Sequence, residues 1–261
     1  PVLRDGDSGK FGRMINRYKK AHGDALSLRE LPRLLAVVSE VRPDLIHIHG
    51  SEENFGLIAK EKLPCLVVLS IQGLLSPIFN KWYSGFSKAD ISKNEGLFMK
   101  LICSGISMSE KDFQRRAAME RDFFKFIPYV VGRTSWDKSC SLALNPQRQY
   151  FEVGEILRSE FFSASWKKTS FGSPFTLVST ISNGIYKGME SIFNSASILV
   201  DAGFSFQWNI IGASTSSTEV KLSEKLIGKK AADLHLNFLG RKTASEMIDV
   251  LLQSDTYVQV S

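Results

Sequence analysis

The stretch FTLVSTISNGIYKGMESIFNSASILV, residues 175–200, passes from a strand pattern to a helix pattern. Phe175 to Ile181 is apolar and rich in β-branched residues, the composition of a buried strand. Beyond Lys187-Gly188 the apolar residues switch to helical spacing, which predicts a helix over Lys187–Ala202. A strand handed over to a helix is the opening of a βαβ unit. The N-terminus of such a helix carries partial positive charge and free N–H groups, ready for an anion. A glycine there admits a ligand close to the backbone, and a lysine adds a point charge for phosphate. Taken alone, the pair reads more simply as a solvated lysine at a loop edge.

The pattern repeats downstream. Strands are expected at Phe206–Ile211, Leu234–Leu239 and Thr256–Val260, with helices at Glu219–Gly228 and Thr243–Gln253 between them. The strand in WNIIGAS ends at Gly212. FLGRK follows Phe238 and Leu239 with Gly240, Arg241 and Lys242. Three consecutive strands thus end in glycine or basic residues on one edge, the edge where open α/β sheets take ligands. The chain stops at Ser261, directly after an expected buried strand, which reads as a lobe cut short.

Upstream the same alternation appears. LRELPRLLAVVSEVR has apolar residues at helical spacing, with Ser27 and Glu30 placed as a capping box and Pro32 in the first turns. Leu45–His49 reads as a strand, SEENFGLIAKEKL as a helix, and PCLVVLSIQG as a second strand. A long charged helix, SMSEKDFQRRAAMERDFFKF, precedes the strand IPYVVG. The helix SWDKSCSLAL and the strand QRQYFEV follow. Residues 1–27 read as polar loop and NEGLFMKLICSG as a short amphipathic helix. The polar stretch ending in Gly172 and Pro174 reads as a crossover. Helix–strand alternation with short Pro/Gly joints predicts parallel sheets. The expected architecture is α/β, with two Rossmann-like domains over residues 1–173 and 174–261.

Composition restricts the function. With 261 residues, 43% hydrophobic and 23% charged, the chain suits two moderate soluble lobes. Its longest apolar stretch, Leu63 to Phe79, is broken by Pro64, Gly73 and Pro77, so it does not make the ~20 apolar residues of a membrane helix. Cys65, Cys103 and Cys140 are odd in number and widely spaced, neither a disulfide framework nor a metal cluster. With no basic-plus-apolar leader at Pro1, a cytoplasmic setting is expected. The +6 charge admits phosphorylated substrates or an anionic membrane surface, but no RNA- or zinc-finger signature accompanies it, so nucleic acid is not expected.

Strand ends of the first lobe supply further candidates. HIHG puts His47 and His49 on one strand face, and the structural expectation is packing or hydrogen bonding, with His49 nearer the edge. Ser51 and Glu52 follow it. Ser51 reads first as a helix cap. Gln72 and Gly73 end the next strand. Arg133 ends the third, and Glu155 and Arg158 follow the fourth. Ion pairing of Arg133 and Arg158 with Asp137 and Glu155 is the structural alternative for both arginines.

In order and spacing, RPDLIHIHG, IQG, VVGRT, YKGMESIFNSASIL, FQWNIIG and LNFLGRKTASEMIDVLLQSDTYVQVS resemble family-4 retaining glycosyltransferases of the GT-B fold. The resemblance spans about Leu28 to Ser261 and is strongest from Pro174 onward. It implies two Rossmann-like lobes, the first for the acceptor and the second for a nucleotide sugar, with no metal or other cofactor. It gives Lys187 the donor diphosphate, Gly188 and Gly212 the close backbone approach, and the turn of Phe238, Leu239 and Gly240 the nucleotide base, with Arg241 beside it on the donor side. His49, Ser51, Glu52, Gln72, Gly73, Glu155 and Arg158 fall on the acceptor side. Lys187, Arg133 and Gln72 are the expected catalytic group.

The chain departs from the family in three places. The arginine usual five residues before the lysine is Ser182 here, and Arg133 or Arg241 is the candidate substitute. A histidine near the reaction centre is Gln72, which can bond a hydroxyl but cannot act as a base at neutral pH. The family's glutamate pair would lie beyond Ser261, and its first strand before Pro1, so the lobes are expected to be incomplete. The resulting expectation is transfer of a sugar from a nucleotide donor to a glycan or lipid-linked acceptor in surface polysaccharide biosynthesis. In that reading the aromatic and basic region 79–106 faces the acceptor, at the inner membrane surface. A nucleotide-sugar epimerase, or a non-catalytic nucleotide-sugar-binding module, is the alternative on the same architecture.

Overall fold

The computed structural model describes residues 26–94 and 105–260. The expected helix at 95–104 and the loop reading of 1–25 lie outside the described residues. Two compact units emerge, and neither is contiguous in sequence. The first holds residues 26–81 and 105–155, the second 82–94 and 156–260. The segment 82–94, which the sequence leaves with the first domain, packs with the second.

In the first unit, helix α1 (Leu26–Val41) leads into β1 (Leu45–His49). A 3-10 turn over Asn54–Lys60 precedes β2 (Leu66–Ser70) and the short helix α2 (Leu75–Phe79). After α3 (Lys88–Asn94), which belongs to the second unit, come α4 (Ile106–Phe124), β3 (Tyr129–Gly132), α5 (Ser135–Leu144) and β4 (Gln149–Glu152). The four strands form one parallel sheet in the order β1-β2-β3-β4. Its core joins Ile48, Leu69, Ile71, Phe123, Phe124 and Val130, all buried. Each such side chain contributes roughly 1.5–3 kcal/mol when fully removed from water.

Three local expectations are corrected here. The segment after β1 is a 3-10 turn, not an α-helix. It carries Gly56, a poor helix former, whose missing side chain leaves room for the Phe123 ring. Helix α1 begins at Leu26, so Ser27 lies inside it rather than in front. Glu30 accepts a hydrogen bond from Asn54 Nδ2 at 2.6 Å, which ties α1 to the turn instead of capping it. Pro32 is the seventh residue of the helix, beyond its first turn.

In the second unit, α6 (Ser159–Phe162) precedes β5 (Phe175–Thr180). A 3-10 turn at Ile185–Lys187 leads into α7 (Met189–Asp201). Then come β6 (Phe206–Ile211), α8 (Thr218–Ile227), β7 (Leu236–Gly240), α9 (Ala244–Gln253) and β8 (Thr256–Tyr257). The sheet is parallel, in the order β7-β6-β5-β8. Several boundaries differ from the sequence reading, and β8 stops at Tyr257 rather than Val260. Residues 232–234 form a 3-10 turn ending at His235 in the left-handed region, so β7 starts at Leu236. Lys187 stands before the helix, not in it, because Gly188 adopts a left-handed conformation between them.

The core of this unit gathers Ile192, Phe193, Trp208, Ile210 and Leu234. A polar relay crosses it: Trp208 Nε1 donates to Ser179 Oγ at 3.0 Å, and Ser179 donates to the Val258 carbonyl at 2.6 Å. The indole N–H buried between β6 and β5 is thereby satisfied, which a core of this density requires. Among the described residues, no helix is long and apolar enough to cross a membrane.

Candidate functional site

In the second sheet, β5 has β6 on one side and β8 on the other, so strand order reverses at that point. Ligands of open α/β sheets bind outside the carboxyl ends of strands at such a switch. A cavity of about 510 Å³ opens on that edge. Ser182 and Asn183 line it after β5, Gly212 after β6, and Arg241 and Lys242 after β7. A cavity of about 540 Å³ around Phe206 and His235 lies at the amino edge, the wrong side by the same rule.

The cavity is cationic. Lys242 reaches Glu246 at 3.6 Å, whereas no ion pair of Arg241 is found among the described residues. Thr243 and Glu246 cap each other at the start of α9: Glu246 N–H donates to Thr243 Oγ1 at 3.3 Å, and Thr243 N–H donates to Glu246 Oε2 at 2.8 Å. This leaves Arg241 as the side chain with charge to offer. Gly240, with φ +66°, has open space where a side chain would stand.

Lys187 stands on the same edge, four residues past Asn183. Its stem packs beside Gly184, and its ammonium lies 5.2 Å from the centre of the Tyr186 ring. Gly188 and Gly212 have local reasons to be glycine. Gly188 has φ +83°, and a Cβ there would stand 2.7 Å from the Val260 carbonyl. Gly212 has φ +104°, and a Cβ would stand 2.6 Å from the Ile181 carbonyl. The close backbone approach at both positions is to the chain itself, and Gly212 also borders the cavity. Phe238 packs against the core, and the Gly240 carbonyl accepts from Gly212 N–H at 2.7 Å.

At the carboxyl edge of the first sheet, the Glu52 carboxylate lies where side chains on Gly50 or Gly73 would stand. Burial pushes the Glu52 carboxyl upward, and the nearby Glu120 and Glu53 push the same way. Its own backbone N–H and His49 oppose them. His49 is exposed, with its ring edge-on to that of His47, which is hydrogen-bonded to Ser70 Oγ at 2.6 Å. Among the described residues no three His, Cys, Asp or Glu side chains converge as metal ligands do.

Ser51 is only 1% exposed and joins a structural knot. It hydrogen-bonds Glu120 and the Gly73 carbonyl, while Glu120 accepts from the backbone N–H of Leu75 at 3.0 Å and of Ser76 at 2.7 Å. Glu120 itself is fully buried. It holds the start of α2, which follows the Gln72-Gly73 strand end. It is absent from the strand-end candidates, though a signal exists in the sequence: it interrupts the buried stripe Phe113, Ala117, Phe124 of α4. Arg133 ion-pairs with Glu155 and donates to the Gln72 carbonyl at 3.1 Å. Arg158 falls in the second unit, exposed in front of α6, whereas His49 and Glu52 belong to the first. Of the aromatic region, Trp82 and Phe86 are buried within the second unit, and Phe79 stacks on Phe113.

No family model matches the chain, and no curated protein does. Among solved structures it is similar to sucrose-phosphate synthase from Thermosynechococcus elongatus. The identity is 11%, with 90% of this chain and 54% of that one covered at a TM-score of 0.55. It is also similar to a protein assigned as UDP-N-acetylglucosamine 2-epimerase from Listeria monocytogenes, at 11% identity, 89% and 55% coverage and a TM-score of 0.45. S. aureus MnaA in a structure with UDP matches at 14%, 89% and 57% coverage, and a TM-score of 0.43. The chain spans about half the length of these structures. Two Rossmann-like units with parallel four-stranded sheets, and the likeness to the synthase, give this chain the GT-B fold.

Proposed function

We propose that the chain is part of a retaining glycosyltransferase that moves a sugar from a nucleotide donor to a glycan or lipid-linked acceptor of surface polysaccharide. The observation that carries the reading is the cationic cavity at the strand-order switch of the second unit, with Arg241 on its wall and the Lys187 turn on the same edge. Its volume falls in the range of small-molecule sites.

In this reading the nucleoside diphosphate lies along the carboxyl ends of β5 to β7. Negative charge grows on the leaving diphosphate as the bond to the sugar breaks. Fixed cations aimed at that charge lower the barrier, typically by a few kcal/mol. Arg241 supplies one, in place of the arginine that Ser182 lacks. Lys187 supplies another, by swinging its flexible stem off the Tyr186 ring. These groups do the work of a divalent metal, so no cofactor is needed. On the acceptor side, Gln72 bonds a hydroxyl, and Glu52 is the titratable group beside it. Docking at the inner membrane face would bring a lipid-linked acceptor to that side.

Thermal-shift titration with ADP, GDP, UDP, CDP and dTDP tests the reading, since a ligand specific to the folded state must raise its stability with concentration. A shift with one of them, reduced in Lys187→Ala and Arg241→Ala, is the expected result and names the base for a transfer assay. No shift with any of the five would sink the reading. Product formed from donor alone would replace transfer with epimerisation.

A further inference from the structure

The second unit contains a piece of chain, Trp82 to Asn94, that lies between two stretches of the first. It packs by burying Trp82, Phe86 and Ile91, and α3 lies against α8. Its contact with the Lys187 turn is specific. The Trp82 and Tyr186 rings stand 5.6 Å apart, and the Lys187 ammonium lies over that same tyrosine. One turn on, Glu190 at the start of α7 reaches back to the segment. Its Oε1 accepts from Ser84 Oγ at 2.6 Å and from Gly85 N–H at 3.0 Å. A Cβ on Gly85 would stand 2.9 Å from Glu190 Cγ, so the fit admits no side chain.

Glu190 is 6% exposed, and its Oε2 is buried with no hydrogen-bond partner among the described residues. A carboxylate is a costly choice for joining a loop to a helix when a serine or threonine would cap it without burying charge. What the carboxylate adds is reach and direction. A single oxygen collects a side-chain and a backbone donor from adjacent residues and fixes the segment against the turn. The rings of Trp82 and Tyr186 then continue that contact to Lys187.

We propose that Trp82–Asn94 is a clasp on the Lys187 turn, and that Glu190 is the positioning residue which, through Ser84 and Gly85, sets that turn for the diphosphate of a nucleotide sugar. The inference rests on the donor-site reading above. It assigns a role to a stretch that the sequence places with the other domain.

The test combines amide hydrogen exchange over 82–94 with nucleoside diphosphate affinity from the five-member panel, on wild type, Glu190→Ala, Glu190→Gln and Ser84→Ala. In Glu190→Ala, exchange at Gly85 and its neighbours rises, and affinity for the diphosphate that wild type binds falls about tenfold, a loss of ~1.4 kcal/mol. Glu190→Gln keeps a carbonyl acceptor for Ser84 and Gly85 and stays near wild type in both readouts. Ser84→Ala, which removes one bond of the two, loses affinity by about threefold and keeps the proposal testable should Glu190→Ala fail to fold. Faster exchange with unchanged affinity would show a purely structural strap and overturn the proposal. Equal losses in Glu190→Gln and Glu190→Ala would place the effect in the charge and overturn it too. A wild type that binds none of the five diphosphates ends the donor-site reading itself, and the clasp with it.

Discussion

Arg133 Nη1 lies 2.5 Å from Glu155 Oε2. The arginine that ends β3 is therefore already neutralised inside the first unit. It also donates to the Gln72 carbonyl, and its backbone N–H donates to Asp137 Oδ2 at 2.9 Å. An arginine so committed is expected to hold two strand ends in register rather than wait for a diphosphate. Arg133→Ala is expected to leave nucleoside diphosphate affinity within about twofold. It should lower stability by about 1 kcal/mol or less, the scale of an exposed ion pair. A tenfold loss of affinity in that variant would instead return Arg133 to the donor clamp.

Arg241 carries the opposite expectation. It borders the cavity, and no carboxylate pairs with it among the described residues. Arg241→Ala should weaken nucleoside diphosphate binding about tenfold, with little change in melting temperature, because a charge-assisted bond to ligand is lost and none within the protein. Lys242→Ala should cost less, since Lys242 already reaches Glu246. Titration calorimetry on the two variants gives the ranking, and equal losses would contradict it.

The positions of the strands were legible in the sequence because β-branched runs bounded by Gly and Pro report burial locally. Phe175–Thr180 and Phe206–Ile211 fall within a residue of expectation. What escaped depends on partners far along the chain. Nothing near Glu190 says that Ser84 and Gly85 meet it 106 and 105 residues away. The lysine-rich, aromatic look of 79–94 points to a surface, yet Trp82 and Phe86 are core side chains of the second unit. Gly188 and Gly212 were read from the ligand side, whereas Val260 and Ile181 explain the missing side chains. A glycine reports that something comes close; it does not say what.

Glu52 links acidity to stability. Burial raises its carboxyl above the ordinary value, so the folded state binds its proton more tightly than the unfolded state does. The associated stability is present at pH below the unfolded value and is lost as pH rises through the folded one. Above the folded value the ionised carboxylate is therefore a net cost. Glu52→Gln should melt higher than wild type at pH 7, with the gap closing toward pH 4. If Glu52 serves the acceptor, the same variant loses transfer activity, the usual opposition of stability and function at a site. A variant that melts lower at pH 7 would contradict the first half.

Asp255 works in the other sense. Its side chain is buried and paired with Lys168, and it accepts from Thr176 N–H at 2.7 Å. The Lys168 bond and that backbone bond hold its carboxyl below the ordinary range. Stability from this group is present above the unfolded value, near pH 4, and is lost as pH falls through the lower folded value. Lys168→Met should lower the melting temperature at pH 7 and flatten the acid limb below pH 4. Trp166 Nε1, which donates to the Ser254 carbonyl at 2.9 Å, keeps the linker on α9 in the variant. An unchanged acid limb would remove Lys168 as the cause.

Ser182 offers a gain rather than a loss. It is exposed, follows β5, and lines the cavity five residues before Lys187. The family that the sequence resembles has arginine at this place. A guanidinium there would face the same space as Arg241 and meet a diphosphate in bidentate fashion, stronger than a neutral hydrogen bond and more directional than lysine. Ser182→Arg should therefore tighten nucleoside diphosphate binding about tenfold at low salt, with the gain shrinking as ionic strength rises. The melting temperature without ligand should hold or fall slightly, because the new charge joins Arg241 and Lys242 without a carboxylate between them. Calorimetric affinity at two salt concentrations separates the outcomes. No tightening at either would mean that the diphosphate does not lie against β5, and the donor would have to bind elsewhere on this edge.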